Sequence, residues 1–428
     1  MLSMLRRNTV SMVVLVLVIG LLSGVGLAAK QKVTLWSFAP NNIMEWEARK
    51  ADIDKKFDID LVIEEVPENA FVQTLQAAMM DGTNFPDIIE WRIEQNQILD
   101  ADPKRSLVIP LDKYVSKSDA FKKVPAGRVA WTTYGGHVYG LPHDVHPVVL
   151  LYNDTLWKSV GVDMAKIETW DEFFVAAQKL TATKKDGKPV HYALPYDGGG
   201  LGATMWMIWQ QTGAEVLDKD GKPIFTNPEF TSFTKWWVDK VKSGMLVSWD
   251  WGNFGALLAD GTLAAYTTPD WYINQVDAAA AEGKYQFRVR DLPLYKKGGP
   301  RTSSWGGSFM AITRGSKKQD LLYKVMEYMQ YDEPSLTSRY VDSQMVPPFS
   351  SVWNDPAFKQ ADPRFGGQKL GELQTELAAE MPGVNSGDIF WDAVSTDFNT
   401  QFTEMVAGRV TVEEGLKRAQ DAALKRLK

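Results

Sequence analysis

Three carboxylates stand at the ends of strand-like or loop segments close to aromatic residues: Glu90 before Trp91, Asp144 in the His143–His146 stretch, and Asp270 before Trp271. Paired carboxylates flanking a sugar are the machinery of glycoside hydrolysis, one as acid and the other as nucleophile or base. The same groups, simply ionised, are strong acceptors for sugar hydroxyls. Their separation is not fixed by the sequence, so both readings stand at this point. His137, His143 and His146 lie close together and His191 stands apart, without an HExxH pair or a finger spacing, so no metal is expected. No G-x-S-x-G elbow occurs, and the loop Gly298–Gly307 lacks the Lys-Ser/Thr of a P-loop. With no cysteine anywhere, disulfide scaffolds, thiolate metal sites and cysteine nucleophiles are excluded.

The chain carries 16 Trp among its 428 residues. A Trp buries up to ~250 Å2 and is normally core. Here Trp36, Trp91, Trp249, Trp251, Trp271, Trp305 and Trp391 flank turns, glycines, prolines or acids instead, and Trp206 and Trp209 follow the loop Gly198–Gly202. Aromatics on loops at strand ends tend to face clefts. One face of a pyranose is a patch of C–H bonds that matches the negative face of an indole, and its rim of hydroxyls calls for Asp, Glu, Asn and Arg. As a set, these tryptophans point to a cleft that takes a sugar.

The elements that would position them begin with a β-α-β-α-β run. Val33–Ser37, Asp60–Glu64 and Asp87–Glu90 read as strands, Ile43–Phe57 as a helix, and Phe71, Leu75, Ala78 and Met79 as one helix face. That is the start of a parallel sheet covered by helices. Val148–Tyr152 reads as a further strand. Thr169–Glu172 is a capping box that opens a helix to about Leu180. Lys185–Pro189 and Lys219–Pro223 are Asp-Gly turns that each close a small hairpin. Helical stretches dominate 200–260, Tyr285–Leu294 and Phe309–Thr313 return to strand, and 317–428 is mostly helical, with a second capping box at Thr411–Glu414. Two lobes with more than one crossing of the chain between them are expected.

Arg6 and Arg7, the apolar run Met12–Leu22 and Gly26-Leu27-Ala28 form the pattern of a cleaved signal peptide, residues 1–29, and no later stretch has 18 uninterrupted apolar residues. The formal net charge of −6 gives no electrostatic reason to expect nucleic acid as a partner.

Taken in order, Val33–Ser37, Phe85-Pro-Asp-Ile-Ile-Glu-Trp91, Val138–Pro142 leading to Leu151–Leu156, Thr169–Phe173, Pro269-Asp-Trp271, Arg301–Gly307 and Gly408–Glu414 resemble the extracellular solute-binding proteins of ABC sugar importers. The resemblance covers nearly the whole chain after the signal peptide. It implies an α/β, two-lobed periplasmic-binding-protein fold of the maltose-binding type (type II), with a ligand cleft between lobes joined by hinge strands. The first lobe would comprise 30–145 plus 293–314, the second 146–292 plus 315–428.

Carried over residue by residue, the resemblance gives Trp91 a stacking role from the first lobe and Trp271 and Trp391 stacking roles from the second. Trp36 and Asn41 fall in a loop with polar sugar contacts. Asp144 and His146 fall at the first crossover, His146 where relatives often carry a carboxylate. Tyr196, Asp197 and Trp206 belong to a second-lobe aromatic segment. Glu90, Asp270, Trp305, Gly306 and Gly307 complete the ligand-binding set. The function implied is non-enzymatic capture of a sugar or oligosaccharide in the periplasm or outside the cell, by a monomer that hands it to an ABC permease, with no cofactor. The alternative is a secreted glycoside hydrolase using Glu90, Asp144 and Asp270.

Overall fold

Alternating apolar residues make the first sheet two-faced. The computed structural model describes residues 30–82, 84–100, 102–196, 203–218, 221–250, 252–383 and 393–426. The expected signal peptide, Asp197, Trp251 and Trp391 lie outside these residues. Strands β1 (Gln31–Ser37), β2 (Ile59–Glu65) and β3 (Ile88–Arg92) run parallel, joined by helices α1 (Pro40–Phe57) and α2 (Phe71–Asp81). The β-α-β-α-β opening is present as expected.

A two-residue strand, β4 (Leu141–Pro142), leads through residues 143–148 into the second sheet. There β5 (Val149–Asn153) lies between β6 (Ala265–Thr268) and β7 (Phe287–Arg290), antiparallel to both. The chain then returns as β8 (Ser308–Ile312), which completes the first sheet in the order β2–β1–β3–β8–β4. The Thr169 capping box is formed in both directions, at 3.3 and 3.2 Å. The first Asp-Gly turn closes a hairpin of Lys184–Lys185 on Lys188–Pro189. At the second, Leu217 bridges Pro223.

Period-2 alternation sorts the side chains of the first sheet. Val33, Leu35, Ile88, Met310 and Ile312 face one way, onto Trp46 of α1 and a pair of later helices. Ile89, Trp91, Phe309 and Ala311 face the other way, into a larger apolar cluster that continues through the second sheet. Gly140 sits against that second face, where a Cβ would lie 2.2 Å from the Trp91 ring. Gly140→Ala is expected to cost ~1–3 kcal/mol or more, as overpacking does. The urea midpoint reads this, and an unchanged midpoint would mean the indole is not wedged there.

The boundary expected at residue 315 assigns everything after it to the second lobe. The packing divides that stretch. Helices α3 (Gln319–Tyr331) and α4 (Glu333–Ser343) bury Leu322, Met326, Met329 and Leu336 on the first sheet. Pro363–Phe365 and the final helices, Asn399–Val406 and Val412–Arg426, bury Phe365, Phe402 and Leu416 with the second. An apolar stripe at helical spacing says that a face is buried, not which sheet covers it.

Three stretches meet where the lobes join. Val148 N–H donates to Ser303 O at 3.0 Å, Pro147 bridges Ser304, and Val145 N–H donates to Val346 O at 3.2 Å. Among the described residues no helix is long and apolar enough to cross a membrane.

Candidate functional site

In open α/β sheets ligands bind beyond the carboxyl ends of the strands. Here a cavity of about 500 Å3 lies there. The loop after β1 supplies Phe38, the first turn of α1 supplies Asn41 and Asn42, the end of β3 supplies Arg92, and β8 begins with Ser308. Pro40 at the first turn of α1 presets the helix φ, so Asn41 and Asn42 enter the cavity wall at a fixed angle. Asp144, His146, Gly306 and Gly307 come from the crossovers, and Trp271 from the turn after β6. The wall therefore draws on both sheets.

Beneath this wall the sheet face turns polar. Ser37, Glu90 and Ser308 follow Leu35, Ile88 and Met310 on the same alternating row. Glu90 is fully buried and accepts hydrogen bonds from the Ser37 hydroxyl and the Asn42 amide, and Asn42 also reaches Ser308 Oγ at 3.1 Å. Burial pushes the Glu90 carboxyl up to about 7, against the pull of Ser308, Ser37 and Asn42. Glu90 thus braces Asn42 from below and does not line the cavity.

At the crossover His146 lies between two carboxylates, with Nε2 2.9 Å from Asp144 Oδ1 and Nδ1 2.5 Å from Asp270 Oδ1. Its backbone is left-handed, φ 46°, unusual for a residue with a Cβ. Burial works against the imidazolium, but the charges of Asp144 and Asp270 raise it to about 9. Burial likewise opposes ionisation of Asp144, yet the charge of His146, with its hydrogen bond, holds that carboxyl well below the usual range. Asp270 Oδ2 accepts the Val346 N–H at 2.6 Å, so the third stretch of the hinge is tied in. Arg128 donates from Nε to Asp144 O at 2.8 Å and from Nη2 to Asp144 Oδ1 at 2.9 Å, and Nη1 reaches Gly306 O at 3.2 Å. Gly307 has φ 117°, and a Cβ on it would lie 1.3 Å from Arg128 Nη2, so only glycine lets the loop pass the guanidinium.

The tryptophans divide. Trp271 is half-buried and lines the cavity; its Nε1 donates to Trp305 O at 2.9 Å, and the two rings lie 5.1 Å apart. Trp91, expected to stack on ligand, is 0% exposed: it donates to Asn96 Oδ1 at 3.0 Å and packs 5.2 Å from Phe309. Trp36 is buried and donates to Glu64 at 2.8 Å. Trp206 is 1% exposed and donates to Ser304 O at 3.2 Å, bracing the second crossover from behind. Tyr196 is half-buried at the end of the strand Leu194–Tyr196, against the larger core. The structure therefore brings together Asn41, Asp144, His146, Asp270, Trp271, Trp305, Gly306 and Gly307. Trp36, Trp91 and Trp206 pack in core instead, and Glu90 lies underneath.

Strand parity alone could have placed Trp91: it shares a face with Ile89, whereas Glu90 shares one with Ile88. Asn42, Arg92, Ser308, Met345 and Arg128 were not anticipated. Asn42 adjoins Asn41 and was within reach. Arg128, in the helix Ala126–Ala130, has partners 16 and 178 residues away and left no local signal.

Residues 45–334 match the family model described as bacterial extracellular solute-binding protein. The arabinooligosaccharide-binding protein of Halalkalibacterium halodurans is 22% identical over 400 residues, 90% of this chain and 87% of that one. The maltotriose-binding protein of Pyrococcus abyssi is 24% identical over 338 residues, 77% of this chain and 69% of that one. Among solved structures, the sugar-binding protein MalE of Xanthomonas citri superposes with a TM-score of 0.75 at 19% identity, over 92% of this chain and 98% of its own. The chain belongs to the bacterial extracellular solute-binding proteins, and its fold is the two-lobed α/β fold of the maltose-binding type.

Proposed function

We propose that this member of the solute-binding family captures a sugar or oligosaccharide between its two lobes for an ABC importer. The observation that carries the reading is the cavity at the strand ends, drawn from both sheets, with the Trp271 indole in its wall and an amide, carboxylate and guanidinium rim. The Trp271 ring offers a face for the C–H patch of a pyranose, and Asn41, Asn42, Asp144 and Arg92 meet the hydroxyls. Naming of the relatives for arabinooligosaccharide and maltotriose supports the sugar class.

The first lobe comprises 30–145 and 293–314 together with α3 and α4; the second comprises 146–292 and the final helices. A sugar touching both lobes favours the closed form, because it gains contacts only there. The closed monomer then docks on the transmembrane subunits of a permease. Residues 1–29 direct export and are removed, which leaves the protein in the periplasm or outside the cell.

The way the carboxylates are used supports binding without catalysis. Asp144 and Asp270 are both bonded to His146, and Glu90 is sealed beneath Asn42. A hydrolase needs one carboxyl as acid and another as base or nucleophile facing the same bond. Titration calorimetry with maltose, maltotriose and arabinooligosaccharides, followed by chromatography of the recovered sugar, is the test. Heat of binding and intact sugar are expected; no heat with any of them overturns capture, and cleaved sugar overturns the non-enzymatic reading.

A further inference from the structure

Glu90 is a buried carboxylate that no cation accompanies. It is 0% exposed, and it forms no ion pair among the described residues. A charge buried in this way is costly, so its ionisation depends on the hydrogen bonds it receives. β1 offers it the Ser37 hydroxyl, α1 the Asn42 amide and β8 Ser308. Arg92, two residues along the same strand face, is paired with Glu68 and Glu94. Glu45, in the next turn of α1, is held by Arg339 Nε at 2.7 Å. The crossover brings Asp144, of like charge, whose own cations are Arg128 and His146. His143 of the same crossover is pushed down to about 4 by burial and is neutral at pH 7.

This carboxylate commits the amide of Asn42. Nδ2 donates to Glu90 Oε1 and to Ser308 Oγ, the latter at 3.1 Å. An ionised carboxylate only accepts, so the amide turns its hydrogens inward. Asn42 is 4% exposed and lines the cavity. Its Oδ1 bonds to none of the described residues and is the polar group left for a ligand. A proton on Glu90 reverses this logic, because the carboxyl then carries a donor of its own. Ser37 Oγ already accepts the Ala39 N–H at 3.1 Å, whereas a half-turn of Asn42 brings a free carbonyl oxygen to the new donor. The turned amide faces the cavity with N–H groups in place of Oδ1.

We propose that Glu90 is a positioning residue for capture: ionised, it holds Asn42 with Oδ1 toward the ligand, and a proton on it releases the amide, so that sugar and proton compete. Glu90 itself lies beneath the wall and meets no ligand. The proposal rests on the reading of the cavity as a sugar site. It adds the residue that aims one group of that site, and the pH-dependence this brings. Burial holds the Glu90 carboxyl at about 7, so the exchange falls between pH 6 and 8. His146 titrates near 9 and Asp144 far lower, outside that window. A sugar that takes the ionised form pulls the carboxyl below 7 in the complex. Affinity therefore rises with pH through 7 and levels off above 8, and binding near 7 releases protons.

Titration calorimetry with maltose, maltotriose and arabinooligosaccharides at pH 6, 7 and 8, in two buffers of different ionisation heat, tests it. For the sugar that binds, affinity at pH 6 is expected to lie about five- to tenfold below that at pH 8, with up to about half a proton released per sugar at pH 7. A role confined to holding the wall together gives neither. Glu90→Gln keeps the size and an acceptor but cannot ionise; its affinity should be level from pH 6 to 8, with no proton released. Asn42→Ala should bind more weakly than the parent at pH 8 and be equally level, because Glu90 then has no amide to turn. The parent measurement needs no substitution, so it decides the matter even if a variant fails to fold. Equal affinity of the parent at pH 6 and 8, or a pH-dependence that persists in either variant, overturns the proposal while sugar capture stands. Absence of binding to every one of these sugars at every pH overturns the capture reading and the proposal with it.

Discussion

Trp271→Ala should weaken sugar binding by about 30-fold or more, equivalent to ~2 kcal/mol, the range of a central aromatic anchor. Among the described tryptophans, the indole of Trp271 lines the wall of the cavity at the strand ends. Its orientation is fixed on two sides: Nε1 donates to Trp305 O at 2.9 Å, and a Cβ on Gly306 would come within 2.8 Å of the same nitrogen. A ring held in this way loses little side-chain entropy when a sugar docks, so most of the stacking energy is realised in binding. Trp271→Phe keeps a smaller ring and forfeits the hydrogen bond, and should fall between the parent and the alanine variant. Calorimetry gives the affinities, and a thermal melt of each variant without sugar separates the lost anchor from lost folding. An alanine variant within threefold of the parent would remove the indole from the site. Trp91→Phe makes the contrast: Trp91 is sealed against Gly140 and Phe309, so its replacement should lower stability before it touches affinity.

The difference between those two tryptophans marks the limit of what the sequence carries. The first three strands could be read because short apolar runs alternate with helical stripes, and the local period decides each element. Motif order and a family resemblance went further, placing His146 and Asp270 at the site without saying that they touch. What stays hidden in each case is the partner across space. Trp91 and Trp271 both follow an acid, yet one faces into a sheet core and the other into a cleft. α3 and α4 show an apolar stripe that does not name the first sheet. Arg128 sits in one turn of helix and is defined by Asp144 and Gly306, both supplied by the crossovers. The best legible clue was parity along β3, since Ile88 and Glu90 must share one face and Ile89 and Trp91 the other.

The hinge cluster should make stability fall as pH rises from about 6 to 9. His146 is 3% exposed and lies between Asp144 and Asp270, so the imidazolium is favoured in the folded chain and titrates near 9, against ~6.5 when unfolded. A raised folded value means that the stabilisation is complete below ~6.5 and drains away as pH climbs through 9, about 3 kcal/mol in all. The groups facing it are Asp144 and Asp270, with Arg128 on the far side of Asp144 and Glu90 within electrostatic reach of that carboxylate. Asp144, held low, is ionised throughout this window. Glu90, raised to about 7, moves stability in the same direction but lower in the range, from ~4.3 to 7, so Glu90→Gln subtracts its share.

Unfolding by urea at pH 6, 7, 8 and 9 then isolates the histidine. The gap between parent and His146→Gln should be widest at pH 6 and close by pH 9. Asp270→Ala should cost ~3–5 kcal/mol at pH 6, because it strips one side of a buried cation and orphans the Val346 N–H that Asp270 accepts at 2.6 Å. Its pH profile should also be flatter, since the imidazolium loses one of its two carboxylates. A gap between parent and His146→Gln that stays constant from pH 6 to 9 would mean that the crossover histidine is neutral, and that what ties the three stretches of the hinge is hydrogen bonding without the charge.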